Sequence, residues 1–516
     1  MFDYLIKNAN IVDGTGRDGY KGDIAIKGDK IAAIGENLGD AKEVIDVGGL
    51  TVTPGFIDSH SHGDEMLTRY LQVENLLLQG ITTSMTGQCG TSAAPCFDPS
   101  CDDYEYRTSV EKWFRTLEEK GVGMNVSLFT GHGNIRKKVM GYPGNRDATP
   151  EEMQEMKAIL NKSMDEGSRG LNSGTYYAPC VYASTDEIVD LCKTVADRGG
   201  MFACHIRSES VRLVESVAEM IEISRRSGVR AIISHHKAAG GPNYWGLSKT
   251  TLQMIENARA EGVDIWTDVY PFSACSTSLW ATYFSPSVQA LGKEKVAEML
   301  NDPDFRKQCR EWIEETFIKY SWKEKGLSWC MLVDLQYAYP EYQGLRINEA
   351  AKLHGKDEFE TLFDVLQANK MSGRGVLFTM SEEDVERIIS KPYVMIGTDG
   401  AGVGMDCVHP RSTSSFTRAI AHYWRERKVC SFPEMIRKMT SLPAQVYKLE
   451  GKGEIEVGKD ADLCIFDPET IKANATFAHP ELYNEGFEYI FVNGKIAVRK
   501  DRVTGVLNGK ILRSNM

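Results

Sequence analysis

The first fifty residues alternate short β-like runs with glycine turns, at Tyr4–Asn8, Gly22–Ile26 and Lys30–Gly35. The last sixty-five do the same through Ala461–Asp467 and Tyr489–Lys495. Two β-rich ends around a different middle predict that residues 1–53 and 446–516 meet in one small β-sandwich domain. The middle repeats an apolar run, a polar or glycine-rich loop and an amphipathic stretch such as Pro150–Leu160. Eight such runs begin near Thr53, Thr82, Val126, Gly170, Met201, Ala231, Val263 and Tyr393. Eight strands alternating with helices predict an α/β fold, a (β/α)8 TIM barrel over residues 54–445, with its chemistry at the C-terminal strand ends. The interval from about Pro271 to Tyr393 is far longer than the others and contains helical patterns at Gly292–Leu300 and Asp304–Phe317. It predicts an inserted, lid-like subdomain between strands 7 and 8, at residues 272–350.

Composition narrows the classes of function. In 516 residues, 42% hydrophobic and 26% charged, there is material for one large barrel and a smaller domain. A net charge of -12 argues against nucleic acid or an anionic membrane as partner, and no stretch approaches the roughly 20 apolar residues that span a bilayer. The N-terminus lacks the basic start and long apolar core of a secretory signal. Twelve cysteines without a regular framework, Cys96 and Cys101 among them as loop thiols, fit reduced thiols in a cytoplasm. The expected partner is a small molecule; homo-oligomerisation stays open.

The candidate chemistry sits at the predicted strand ends. His60 and His62 are spaced i, i+2 after the first run, so in a strand both imidazoles project to one side. Cys89 closes the second run, His205 the fifth, His235 the sixth and Asp399 the eighth. Imidazole, thiolate and carboxylate together suit Zn²⁺, whereas Mg²⁺ and Ca²⁺ prefer oxygen shells. An open coordination position would yield a metal-bound hydroxide near neutral pH, with Asp399 as general base and acid.

These residues resemble the metal-dependent amidohydrolase superfamily, through Pro54–His62, His205, His235, Thr398-Asp399 and the tail Gly453–Leu463. Within it the chain is similar to the N-acyl-D-amino-acid deacylases, or D-aminoacylases. That narrower resemblance rests on Cys89, Gly131-His132-Gly133, Ser234-His235-His236-Lys237, Asp268–Pro271 and His409-Pro410-Arg411. It implies one tight zinc held by Cys89, His205 and His235, and a second, weaker position using His60, His62 and Asp399 with Cys89 able to bridge. His236 is the neighbouring alternative to His235. The resemblance also implies that Lys237, Arg411 and Tyr176, with Tyr177 adjacent, hold the substrate's α-carboxylate. His132 is expected to donate to the acyl group or oxyanion. His62 is followed by Gly63-Asp64-Glu65, a departure from the acidic pair that relatives carry there.

The expected reaction is zinc-dependent hydrolysis of the amide of an N-acyl-D-amino acid to a carboxylic acid and a free D-amino acid. The preference for D enters through the resemblance alone. Ring opening of a hydantoin-like cyclic amide is the alternative, opposed by the absence of a lysine in Gly170–Tyr176. A deaminase would call for a glutamate base after the fifth strand, where Glu209 stands four residues beyond His205. A non-enzymatic scaffold would be expected to have lost its metal ligands, and six candidates are retained here.

Overall fold

A computed structural model of the chain describes residues 1–317, 326–400 and 408–514. Its middle holds eight strands: β1 (Phe56–Asp58), β2 (Ile81–Thr86), β3 (Asn125–Leu128), β4 (Gly170–Gly174), β5 (Met201–His205), β6 (Arg230–Ile233), β7 (Ile265–Val269) and β8 (Val394–Ile396). They are buried along nearly their whole length, as strands covered on both faces must be, so they read as continuous apolar runs. β1, β2 and β3 pair in parallel, and β4 to β8 pair in parallel in chain order. Thr130–Gly131 continues from β3 and pairs with β4, while a parallel bridge between Ser61 and Gly400 joins the ends of β1 and β8. The strands thereby follow one another around a ring with all their C-terminal ends on one side.

Helices cover the ring for local reasons. The helix Pro150–Asp165 starts at a capping box, in which Thr149 accepts from the Glu152 amide and the Glu152 side chain reaches back to Thr149. Met156, Leu160, Ser163 and Met164 recur at helical spacing and form its buried face. Burying Met156 and Leu160 contributes roughly 2 kcal/mol each as an upper estimate. A Thr149→Ala change removes the cap at a cost of about 1 kcal/mol.

The first predicted barrel run divides at Gly55. Thr51–Pro54 pairs with Asn10 and Ile11 on one side and with Leu463–Phe466 on the other, so it belongs to the terminal sheet, and the barrel begins at Phe56. The terminal strands form one nine-stranded sheet that unites both ends of the chain, with hydrogen bonding continuous from Lys30–Gly35 to Arg502–Val503. Ile6, Ile24, Ile26, Val52, Leu463, Ile465 and Phe491 form its core.

The insertion is longer than its predicted span of 272–350. Cys275–Ser278 and Cys330–Val333 both pair antiparallel with Arg374–Leu377, which is the central strand of a three-stranded sheet. A separate core of Leu279, Tyr283, Trp329, Leu362 and Phe363 fills it. The predicted end at 350 fell short because the strand that completes the sheet arrives last in the sequence. Residues 318–325 of the expected insertion lie outside the described residues. Among the described residues no helix is long and apolar enough to cross a membrane.

Candidate metal centre

The strand ends turn sharply where the candidate ligands stand. Cys89, His235 and Asp399 have φ of 52°, 37° and 48°, a left-handed conformation that non-glycine residues enter at a cost of about 1–3 kcal/mol each. Each turn aims a side chain across the mouth of the ring instead of along the strand. Asp58, inside β1, accepts from the Thr398 amide at 2.8 Å and the Thr398 hydroxyl at 2.7 Å, fixing His60 and Asp399 relative to each other. Burial pushes the Asp58 carboxyl up to about 7, against the opposing pull of those hydrogen bonds.

Two adjoining sets of donors result. Cys89, His205 and His235 form one, and His60, His62, Cys89 and Asp399 the other, each with its ligand atoms within 4.8 Å of one another. Cys89 Sγ lies 3.2 Å from His235 Nε2, 3.5 Å from His60 Nε2 and 3.7 Å from His205 Nδ1. His205 Nδ1 and His235 Nε2 are 2.9 Å apart. Asp399 Oδ1 lies 3.2 Å from His62 Nε2 and 3.6 Å from His60 Nε2. Cys89 is the one residue common to both sets.

Outer partners orient these ligands. His235 Nδ1 lies 3.0 Å from Glu209 Oε1, and His205 Nε2 is 3.8 Å from Glu209 Oε2. Asp268 Oδ1 accepts from the His235 amide at 2.6 Å and lies 3.8 Å from His60 Nδ1. Carboxylates on the far nitrogens of clustered imidazoles are the usual support of a metal site. Burial lowers the His205 imidazole to about 4 and raises the Cys89 thiol, so the protein alone favours the neutral forms. A divalent cation reverses that preference for the thiol, and a nitrogen, sulfur and carboxylate donor set fits a borderline-soft ion. The residues therefore fit a metal, with an arrangement open on the cavity side.

That cavity is about 630 Å³, lined at its base by His62, Cys89, His205, His235 and Asp399 and above by Ser276, Trp329, Arg374 and Leu377 of the insertion. Lys237, Arg411, Tyr176 and Tyr177 all line it. Lys237 Nζ pairs with Glu209 Oε1 at 2.5 Å, and Arg411 Nη1 with Asp399 Oδ2 at 2.7 Å. Burial would raise the Asp399 carboxyl, but Arg411, His235 and His62 hold it well below the usual carboxylate range. Tyr176 lies against the His205 ring, whereas the Tyr177 hydroxyl is engaged by Thr277 at 2.9 Å. His236 turns away, its Nε2 2.9 Å from the Thr251 hydroxyl, which leaves His235 at the centre.

His132 corrects the sequence expectation. It is fully buried and does not line the cavity, and its Nδ1 and Nε2 each lie 3.0 Å from a partner, Ser173 Oγ and Glu187 Oε1. Arg136 closes on the same Glu187 carboxylate. No ring nitrogen of His132 is left for an acyl oxygen, so its place is in a buried ion network. Asp64 accepts from the Ala93 amide at 2.6 Å, and Glu65 pairs with Arg107 at 3.0 Å, so the departure after His62 supports a loop rather than the His62 ring. Sequence reasoning gave Glu209 only as a deaminase base and left Arg374 out. Glu209 was signalled by its i+4 spacing from His205; Arg374, in Ser372-Gly373-Arg374-Gly375, carries no signal beyond a turn entering a strand.

Comparison with known proteins adds a third line. The profile described as Amidohydrolase family matches residues 43–302 and 325–498. A D-aminoacylase from Alcaligenes xylosoxydans xylosoxydans is 32% identical over 523 residues, covering 99% of this chain and 97% of the relative. An N-acyl-D-aspartate deacylase of the same organism is also 32% identical, over 99% of this chain and 95% of its own length. The crystal structure of the N-acyl-D-glutamate deacylase from Bordetella bronchiseptica, complexed with zinc and a phosphonate mimic of the tetrahedral intermediate, superimposes with a TM-score of 0.85 at 28% identity. The match covers 99% of this chain and 100% of that one.

Proposed function

We propose that this chain, which belongs to the amidohydrolase family, is a zinc-dependent deacylase that cleaves the linear amide of N-acyl-D-amino acids. The observation that carries this reading is the pair of donor sets sharing Cys89 at the base of a cavity deep enough for a small acylated amino acid. Cys89, His205 and His235 would hold the tight metal; His60, His62 and Asp399 would hold a weaker second one. When bound, the metal polarises the scissile carbonyl and acidifies water.

The remaining steps belong to side chains. Asp399 Oδ2 is anchored by Arg411 while Oδ1 faces the donor cluster beside His62 and His60, and with the second position unfilled Oδ1 is the oxygen that would take a proton from attacking water. The same oxygen returns that proton to the leaving nitrogen. Lys237 and Arg411, in concert with Tyr176, hold the α-carboxylate, since an anion inside an acidic protein needs fixed cations. The insertion supplies one wall of the cavity through Ser276, Trp329, Arg374 and Leu377, which narrows the access of bulk water to the donor sets. Cyclic-amide ring opening is disfavoured because β4 ends at Gly174, packed against the Cys89 backbone with no lysine there to bridge metals. A cytoplasmic location belongs to this reading, in keeping with every described cysteine being free.

The test is metal-depleted protein reloaded with zinc and offered N-acetyl-D-amino acids, their L-enantiomers and cyclic amides. Restored turnover of the D-amides supports the proposal. Protein that stays inactive with zinc, or that opens only rings, overturns it.

A further inference from the structure

The cations around the cavity are not equally occupied. Lys237 is neutralised by Glu209 and Arg411 by Asp399. Arg374 comes from the central strand of the insertion and has no carboxylate within 4.0 Å among the described residues. Its Nε is shielded from solvent and has no hydrogen-bond partner. Its Nη2 donates to the Ser276 carbonyl at 3.3 Å, the same oxygen that accepts from Arg411 Nη2 at 3.1 Å. Two guanidinium groups therefore converge on one neutral oxygen; among the described residues Asp399, against Arg411, is the one carboxylate within 4.0 Å of either, and Asp334 acts on Arg374 from farther away.

That arrangement is costly with protein groups alone. A partly buried cation whose inner nitrogen is unpartnered, with no carboxylate in contact among the described residues, loses solvation that one backbone dipole does not replace. Burial and the neighbouring Arg411 both act to lower the Arg374 pKa, which is the same penalty expressed as a proton affinity. Natural sites keep such a group when a ligand supplies the missing anion. The substrate's α-carboxylate is already assigned to Lys237 and Arg411, and Lys137 and Lys293, which also line the cavity, are solvent-exposed; that leaves Arg374 for a second one. The two carboxylates of an acylated aspartate or glutamate lie about 4–6 Å apart by covalent geometry, within reach of two guanidiniums that meet at one carbonyl.

We propose that Arg374 binds a side-chain carboxylate of the substrate, so that the preferred substrates are N-acyl derivatives of acidic amino acids. This rests on the deacylase reading and deepens it. Overall similarity does not make the choice, because a D-aminoacylase and a D-aspartate deacylase are equally identical to the chain at 32%.

The zinc-loaded enzyme is assayed with N-acetyl-D-glutamate and its neutral isostere N-acetyl-D-glutamine, and with the aspartate and asparagine pair. The wild type is expected to favour the acid of each pair by about 100-fold in kcat/KM. Arg374→Gln should collapse that ratio to near one, chiefly through KM for the acid, while Arg374→Lys restores part of it. Metal content and thermal midpoint are measured for each variant. A wild-type ratio near one or below overturns the proposal, as does an Arg374→Gln variant that folds, retains zinc and loses both members of a pair equally. Hydrolysis of neutral D-amides without acid preference would sink this inference alone. Absence of hydrolysis of every acyl-D-amino acid would sink the deacylase reading with it.

Discussion

Cys89 carries more of this site than any other side chain, because it touches both donor sets and pays for its position with a left-handed backbone. On the proposed assignment, Cys89→Ala should therefore abolish metal retention at the Cys89–His205–His235 set and reduce turnover by at least about 100-fold. Metal analysis alongside kinetics checks this; unchanged zinc content would show that the thiolate is not a ligand. A second residue-scale prediction concerns Glu187. Burial would raise its carboxyl, but His132 and Arg136 hold it down to about 2, below the ordinary 4.5. Its stabilising share is present above 4.5 and is lost as pH falls toward 2. His132 is opposed by burial but raised by Cys180 and Glu187 to about 9, so its share is present below 6.5 and is lost as pH rises through about 9. Glu187→Gln is expected to cost about 3 kcal/mol near pH 6, by leaving Arg136 and His132 without their counter-charge. In denaturant unfolding, the gap to wild type should narrow at both pH extremes; a gap independent of pH would refute the network's role.

At the scale of elements, the chemistry depends on how strand ends abut. A Cβ added at Gly174, the last residue of β4, would lie 2.2 Å from the Cys89 carbonyl oxygen and 2.6 Å from its carbonyl carbon. Both are backbone atoms, so the contact is relieved only by moving the loop that carries the thiol. Gly174→Ala should keep the fold and lower turnover by about 100-fold, the cost of displacing the proposed thiolate ligand by roughly 1 Å. Circular dichroism, zinc retention and kinetics together distinguish this from unfolding. The insertion is the other decisive element. Its central strand delivers Arg374 to the cavity wall, which the predicted boundary at 350 excluded. Periodicity located the insertion's helices, but its last strand is short and no local feature marks Arg374–Leu377 as the partner of strands roughly 100 and 44 residues earlier.

The whole molecule ties its ends to the active barrel. The C-terminal segment crosses the base of the ring through four backbone hydrogen bonds, from Gly509 to Val122, Val126 to Lys510, Leu512 to Val126 and Ser514 to Gly167. The Asn125 side chain joins the terminal sheet through Asp462 at 3.0 Å and Asn493 at 2.8 Å. Removing residues from 507 onward should destabilise the protein by roughly 4 kcal/mol, at about 1 kcal/mol per lost bond. A lowered urea midpoint with the metal-site ligands still present is the expected result; an unchanged midpoint would show that the tail merely rests on the barrel.

The sequence alone determined the alternation of strands and helices, the return of both ends to one sheet, and the six side chains that the structure gathers into two adjoining donor sets. Those features are legible because each is local: apolar runs have a period, and a ligand at a strand end follows its own strand. Tertiary structure alone decided the rest. It took His132 out of the cavity by giving both ring nitrogens partners, directed His236 to Thr251, and divided the first barrel run at Gly55. It also left Arg374 as a cation without a carboxylate among the described residues. Whether a charge is balanced depends on groups far away in sequence, as with Arg374 and Ser276, 98 positions apart, and no local pattern records that balance.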